Sequence, residues 1–250
     1  MKIPGIARIV LLIVSLSFPA ATIVAQLSTD DSTFYRKAIN NSIAAYYNST
    51  GDQSRLYNGT QYPGYPFTFK EGIPFFYSDK PDMGSIVYDG LLYENVLLQY
   101  DELGGMVVMQ DRAHHILFRN ELVSQFSIFN NTFIRIVKDS ASRVLYESGY
   151  YNLLYHGKTI QVLGKEVKKV REQIQSSAEG IWRLIDTKNY FYIRKDNNYY
   201  EVEGKKGLLR VYADHKKELQ QFIKSNKLSF RKNPEDMLVK ASEYYDRLIK

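Results

Sequence analysis

The chain has no cysteine among its 250 residues. This absence excludes thiol catalysis, thiolate metal sites, disulfide bonds and the lipid anchor that bacterial lipoproteins carry on cysteine. Stability must therefore come from an ordinary hydrophobic core. With 44% apolar residues, the chain has the length and the composition to form one.

Histidine is scarce as well, with four copies. His114 and His115 are adjacent, so on a strand their side chains point to opposite faces and one metal ion could hardly bind both. The chain also lacks a Gly-X-Ser-X-Gly elbow, a phosphate-binding glycine loop and a His-Glu-X-X-His motif. The sequence therefore predicts no catalytic residue, no metal site and no cofactor.

Only one long apolar run is present, over residues 9–18. It is too short to cross a bilayer, which takes about 20 helical residues. Lys2 and Arg8 precede the run and small residues follow it, which is the order of a secretory signal peptide. We predict a signal peptide over residues 1–25, cleaved after Ala25, and no transmembrane segment once it is removed. The mature protein is then periplasmic, peripheral to the cell envelope, or secreted.

Positive charge is concentrated in the last fifth of the chain. Residues 204–250 hold twelve Lys and Arg against six Asp and Glu, whereas residues 26–203 hold nineteen against twenty-one. A basic segment on an exported protein would meet lipid headgroups, lipopolysaccharide or wall polymers, and no nucleic acid. The alternative is a solvated helix face without a partner. The lysines we expect to bind an anionic surface are Lys205, Lys206, Lys216, Lys217 and Lys224.

Tryptophan occurs once, but tyrosine occurs 21 times. Tyr62 and Tyr65 lie in a loop rich in proline and glycine, where flat rings with polar tips could line the mouth of a saccharide or small-ligand cleft. The alternative is that tyrosine fills strand positions for which it has high propensity.

Paired carboxylates offer a further alternative, a hydrolase that uses two acidic side chains. Asp101 and Glu102 follow a predicted strand, and Asp89 and Glu94 belong to a predicted hairpin. Turn chemistry and the polar end of a strand explain Asp89 and Asp101 equally well. The sequence does not give the separation on which such a mechanism depends.

The periodicity predicts one α+β domain over residues 26–250. A helix over residues 28–48 precedes a β-rich body (residues 75–203), in which Asp89-Gly90 forms a type I′ hairpin turn. Residues 165–174 fit either a helix or a strand, and residues 181–185 and 190–195 predict two separate strands. A basic helical part (residues 204–250) follows, with Asp214 and Asn233 as caps of a helical pair. We expect a curved antiparallel sheet or an incomplete β-barrel.

Several turn and strand motifs resemble one family. They are the segments at residues 56–62 (LYNGTQY), 84–90 (GSIVYDG), 93–96 (YENV) and 199–200 (YY), followed by the lysine-rich ending. Together they resemble a family of uncharacterised secreted proteins of Gram-negative bacteria, which carry a signal peptide and have no assigned activity. The resemblance implies export and transfers no functional residue. The sequence thus favours a non-enzymatic periplasmic or cell-envelope protein with a binding or scaffolding role.

Overall fold

The fold is a single open sheet with helices packed at its C-terminal end. The computed structural model describes residues 42, 55–111, 114–139, 144–176 and 180–249. Within them, eleven antiparallel strands form one sheet in the order β1-β5-β4-β3-β2-β6-β7-β8-β9-β10-β11. This confirms the predicted curved α+β sheet, which is not closed into a barrel. The strands are β1 (Thr60–Gln61), β2 (Asp82–Tyr88), β3 (Leu91–Asp101), β4 (Met106–Asp111), β5 (His114–Leu117), β6 (Val123–Ile128), β7 (Asn131–Ile136), β8 (Gly149–His156), β9 (Ile160–Ser176), β10 (Gly180–Lys195) and β11 (Asn198–Glu201).

Local turn chemistry sets the hairpins. Asp89 and Gly90, between β2 and β3, both have positive φ, at 49° and 76°. Asp196 and Asn197, between β10 and β11, also have positive φ, at 51° and 60°. Two consecutive positive-φ residues define a type I′ turn, whose twist matches that of the flanking strands. The predicted Asp-Gly turn is confirmed.

Three helices follow the sheet: α1 (Lys205–Val211), α2 (Lys216–Ser225) and α3 (Pro234–Leu248). The start of α3 is as predicted, because the Asn233 side chain accepts a hydrogen bond from the Asp236 amide at 3.0 Å and Pro234 occupies the first turn. Asp214, in contrast, does not cap α2. It accepts a hydrogen bond from the Tyr245 hydroxyl at 2.6 Å and pairs with Lys195 on β10 at 3.3 Å. A partner on another helix and one on the sheet thus replace the local cap.

Strands β9 and β10 form a ribbon of 17 and 16 residues, much longer than the strands before them. Residues 165–174, for which the sequence allowed either a helix or a strand, belong to strand β9. Residues 180–195 form one strand, although two separate strands were predicted. Residues 186–189 are polar, which suggested a break between two strands. In the structure they are exposed on both faces of the ribbon. They nevertheless pair in register with residues 166–169 of β9. Backbone pairing therefore continues where the hydrophobic pattern stops.

The core lies on both faces of the sheet. One cluster of rings and aliphatic side chains fills the face of β2, β3, β6 and β7, centred on Phe126, which stacks on Phe133 at 4.9 Å between ring centroids. A second cluster lies between the helices and the sheet. It contains Val162 on β9 and Ile193 on β10, which are paired across the two strands. Leu163 and Tyr192, the adjacent pair, belong to a third cluster. Since successive residues of a strand face opposite ways, β9 and β10 are buried on both sides here.

Two predictions fall outside the described residues. The signal peptide (residues 1–25) lies there entirely. The helix over residues 28–48 lies there except for Ser42, which is helical.

Candidate functional site

The lysines predicted to bind an anionic surface lie at the start of α1 and along α2. All five side chains are exposed, and we name them the basic helical face: Lys205, Lys206, Lys216, Lys217 and Lys224. Lys217 and Lys224 are seven residues apart, so they lie on the same side of α2. Two nearby acids pair elsewhere, Asp214 with Lys195 and Asp236 with Lys240 at 2.7 Å, whereas Glu201 and Glu203 line one pocket together with Lys205 and Lys206. Among the described residues, none of the five lysines takes part in an ion pair.

The two tyrosines predicted to bind a ligand meet at one buried carboxylate. The hydroxyls of Tyr62 and Tyr65 donate hydrogen bonds to Asp101 Oδ2, at 2.9 Å and 2.8 Å. The Gly104 amide donates to Asp101 Oδ1 at 2.9 Å, and Asp101 is fully buried. Burial and the Asp101 charge raise the pKa of both tyrosines well above the usual value. The hydroxyls therefore anchor the loop to the end of β3, and a ligand role for these rings stays a prediction.

The next residue, Glu102, belongs to a buried charged cluster. Its Oε2 lies 3.0 Å from Lys168 Nζ, and both side chains are almost completely buried, with 2% and 5% exposed. Lys168 Nζ also lies 3.3 Å from Glu166 Oε1 and donates to the carbonyls of Ile73 and Phe75 at 3.1 Å and 2.6 Å. The Lys168 ammonium therefore contacts two carboxyl groups and two carbonyls of the loop that crosses the ribbon.

Burial is the main reason that the pKa of Glu102 is raised to about 8. The neighbouring Glu166 carboxylate adds to the increase, and the Lys168 ammonium opposes it without cancelling it. Burial therefore favours the neutral form of the Glu102 carboxyl group. A buried acid with so perturbed a pKa, lining a cleft, is a common mark of a functional site, although structural ion-pair networks show it too.

A cleft of about 350 Å³ opens beside this cluster, where two strands diverge. Pairing between β8 and β9 stops at Asn152 and Gly164, and β9 then continues with β10 as its partner. The Tyr150 carbonyl, beyond the last pair, accepts a hydrogen bond from Lys165 Nζ at 3.2 Å. We call this space the fork cleft. Its charged lining consists of Glu102, Arg135, Glu147, Lys165, Glu166 and Lys168.

The other acidic and histidine candidates lie elsewhere. Asp89 occupies its turn and pairs with Arg55 at 2.7 Å, and Glu94 is exposed on the hairpin. His114 and His115 are exposed on β5. Within the described ranges, no three His, Asp or Glu side chains are grouped so as to hold a metal ion.

Sequence reasoning identified Asp101 and Glu102 as neighbours but missed Arg135, Lys165 and Lys168. Lys165 and Lys168 could have been noticed as charged residues within a strand-like stretch. Nothing in the sequence indicated that both are buried. Arg135 gave no signal, because its place at the cleft depends on where β8 leaves β9.

Comparison with protein families, curated proteins and solved structures finds no match to this chain. The resemblance to the uncharacterised secreted family therefore stays a prediction. No helix in the described part of the chain has the length and apolar character needed to cross a membrane.

Proposed function

We propose that this chain is an exported, non-enzymatic protein of the periplasm or cell envelope that binds anionic surfaces. Its contact region is the basic helical face. The anions such a protein meets are lipid headgroups, lipopolysaccharide or wall polymers. Export itself is proposed from residues 1–25.

The observation that carries the proposal is a group of five exposed lysines on two successive helices. The five lysines of the basic helical face have no ion-pair partner among the described residues, while Asp214 and Asp236 are occupied by other cations. A lysine near an anionic membrane contributes about 1 kcal/mol, and five acting together give salt-sensitive peripheral binding. The underlying helices are fixed by buried Leu208, Leu219 and Ile223, so the charges sit on a packed support.

Vesicle co-sedimentation tests this role directly. We expect the mature protein to bind phosphatidylglycerol-containing vesicles at low ionic strength, and neutral phosphatidylcholine vesicles much less. Binding should fall steeply as salt is raised, because the Debye length shrinks from about 30 Å at 0.01 M to about 3 Å at 1 M. Changing all five lysines of the basic helical face to Gln should abolish binding.

The matched control removes five other charges. Lys70, Lys80, Lys138, Lys169 and Lys188 are all exposed and lie outside the helices. Changing these five to Gln gives the same net charge but leaves the basic helical face intact, so vesicle binding should persist. Equal loss in both variants, or binding that salt does not weaken, contradicts the proposal.

A further inference from the structure

The fork cleft contains cations whose hydrogen-bonding capacity is largely unused. Lys165 is 7% exposed and carries three N–H donors, but its only hydrogen bond in the described structure goes to the Tyr150 carbonyl. The nearest carboxylate oxygen, on Glu147, is 4.0 Å away, which is beyond hydrogen-bond distance. Burying an ammonium with most of its donors unmatched is costly, and here burial already lowers the pKa of Lys165.

Arg135 supplies the second cation. It lies directly opposite Tyr150 in the β7–β8 pair and lines the same cleft. Within the part of the chain that the structure describes, its guanidinium makes no hydrogen bond or ion pair. Glu121, a nearby acid, is already paired with Arg119 at 2.8 Å. Five donors in a planar fork are thus available on one wall of the cleft.

The charge balance of the lining selects the ligand. Arg135, Lys165 and Lys168 line the cleft together with Glu102, Glu147 and Glu166, and burial, which raises the pKa of Glu102 to about 8, favours the neutral form of that carboxyl group. With Glu102 in its neutral form, the lining has three basic side chains against two acidic ones, an excess of one positive group. A monoanion neutralises that charge, whereas a zwitterion with no net charge leaves it uncompensated. Carboxylate oxygens of Glu147 and Glu166 can accept hydrogen bonds from neutral hydroxyl groups.

We propose that the fork cleft is a binding site for a small, hydroxyl-bearing organic monoanion of the sugar-acid type, whose carboxylate Arg135 and Lys165 bind together. Arginine binds a carboxylate with two parallel hydrogen bonds, which gives both energy and orientation. A cleft of about 350 Å³ is at the small end of ligand sites and accommodates one such molecule. This site is independent of the basic helical face and goes beyond the proposed function.

Isothermal titration calorimetry with three probes tests the assignment. The probes are D-glucuronate, D-glucose, which lacks the carboxylate, and L-alanine, which is a zwitterion. We expect saturable binding of glucuronate with a Kd at or below ~1 mM, and much weaker binding of the other two. No saturable heat with glucuronate up to ~10 mM overturns the proposal, as does equal or tighter binding of glucose or alanine.

Variants identify the cation that binds. Arg135→Gln should weaken glucuronate binding about tenfold or more, and Arg135→Lys, which keeps the charge but loses the fork, should weaken it less. Arg171→Gln is the matched control, because Arg171 lies on the exposed part of β9 and pairs with Asp186. Circular dichroism confirms that each variant is folded. Equal affinity in Arg135→Gln and wild type overturns the assignment.

A final variant separates this site from the surface role. The chain with Gln at all five positions of the basic helical face should bind glucuronate as wild type does. Failure of vesicle binding alone therefore leaves the cleft standing, and failure of glucuronate binding alone leaves the surface role standing.

Discussion

Asp101 is the residue that anchors the loop between β1 and β2. Its buried carboxylate accepts hydrogen bonds from two phenols and one amide. Asp101→Asn keeps the shape but removes the charge and half of the acceptor capacity, so we expect a loss of about 2–3 kcal/mol in the free energy of unfolding. Tyr62→Phe should cost about 1 kcal/mol in the wild-type background. Urea denaturation measures both.

A double-mutant cycle shows whether these losses share a cause. Because Tyr62 bonds to the Asp101 carboxylate, the cost of Tyr62→Phe should shrink in the Asp101→Asn background, with a coupling above about 0.5 kcal/mol. Tyr200→Phe is the control, since Tyr200 is 40% exposed and lies on β11. Strictly additive losses at positions 62 and 101 contradict the geometry.

Glu102 makes stability depend on pH in a direction opposite to most acids. Its pKa is raised from 4.5 to about 8 on folding, chiefly by burial, with Glu166 adding to and Lys168 opposing the effect. The folded state holds the proton more tightly than the unfolded state. The associated stability is therefore fully present below about pH 4.5 and is lost as pH rises to about 8. The slope is at most about 1.4 kcal/mol per pH unit.

Glu102→Gln removes this dependence, because the amide does not ionise. Between pH 5 and 8, the wild-type free energy of unfolding should fall relative to that of the variant, while other groups titrate equally in both chains. Chemical denaturation at several pH values gives the difference. Glu94→Gln, at an exposed position on β3, should leave the pH profile parallel to wild type. A parallel profile for Glu102→Gln as well would contradict a buried, protonated Glu102.

At the scale of elements, the sequence predicts structure where local chemistry decides it. Asp89-Gly90 adopts positive φ at low cost, and Asn233-Pro234 starts a helix because its cap and first turn are self-contained. The β9–β10 ribbon was not predicted in full, because residues 169–174 and 186–189 are exposed on both faces and are held by backbone pairing. They show no alternation of apolar and polar residues. The prediction for Asp214 as a helix cap was wrong, because its carboxylate binds a tyrosine and a lysine that are distant in sequence instead of the nearby helix end.

The fork cleft shows the same limit for sites. Glu102 was recognisable as an acid at the end of a strand. Its partner Lys168 lies 66 positions later in the sequence, and only the folded sheet brings the two side chains together. Four strands separate β3 from β9 in the sheet, so the curvature of the sheet brings the β3–β4 turn to Lys168 on β9. The site therefore depends on contacts between strands that are far apart in the sequence, and no short sequence pattern reveals such contacts.

At the scale of the whole molecule, the proposed export decides which ligands either surface can meet. A cysteine-free chain gains no disulfide bond from an oxidising compartment, so the eleven-stranded sheet and its aromatic core must hold the protein together in the described region. The proposed cleavage after Ala25 would remove Lys2 and Arg8, which would lower the net positive charge and leave the excess of cations in residues 204–250. The assignment of lipid, wall or sugar-acid partners thus rests on residues 1–25.

Intact-mass spectrometry of the protein recovered from a bacterial periplasm tests that leader. We expect the mass of residues 26–250, with Gln26 first; mass is preferable to Edman degradation because an N-terminal glutamine readily cyclises and then blocks sequencing. Replacing Leu12 with Arg places a charge in the ten-residue apolar run and should leave uncleaved precursor in the cytoplasm. Exported protein that still begins at Met1 would contradict the leader, and with it the choice of anions on which the binding proposals depend.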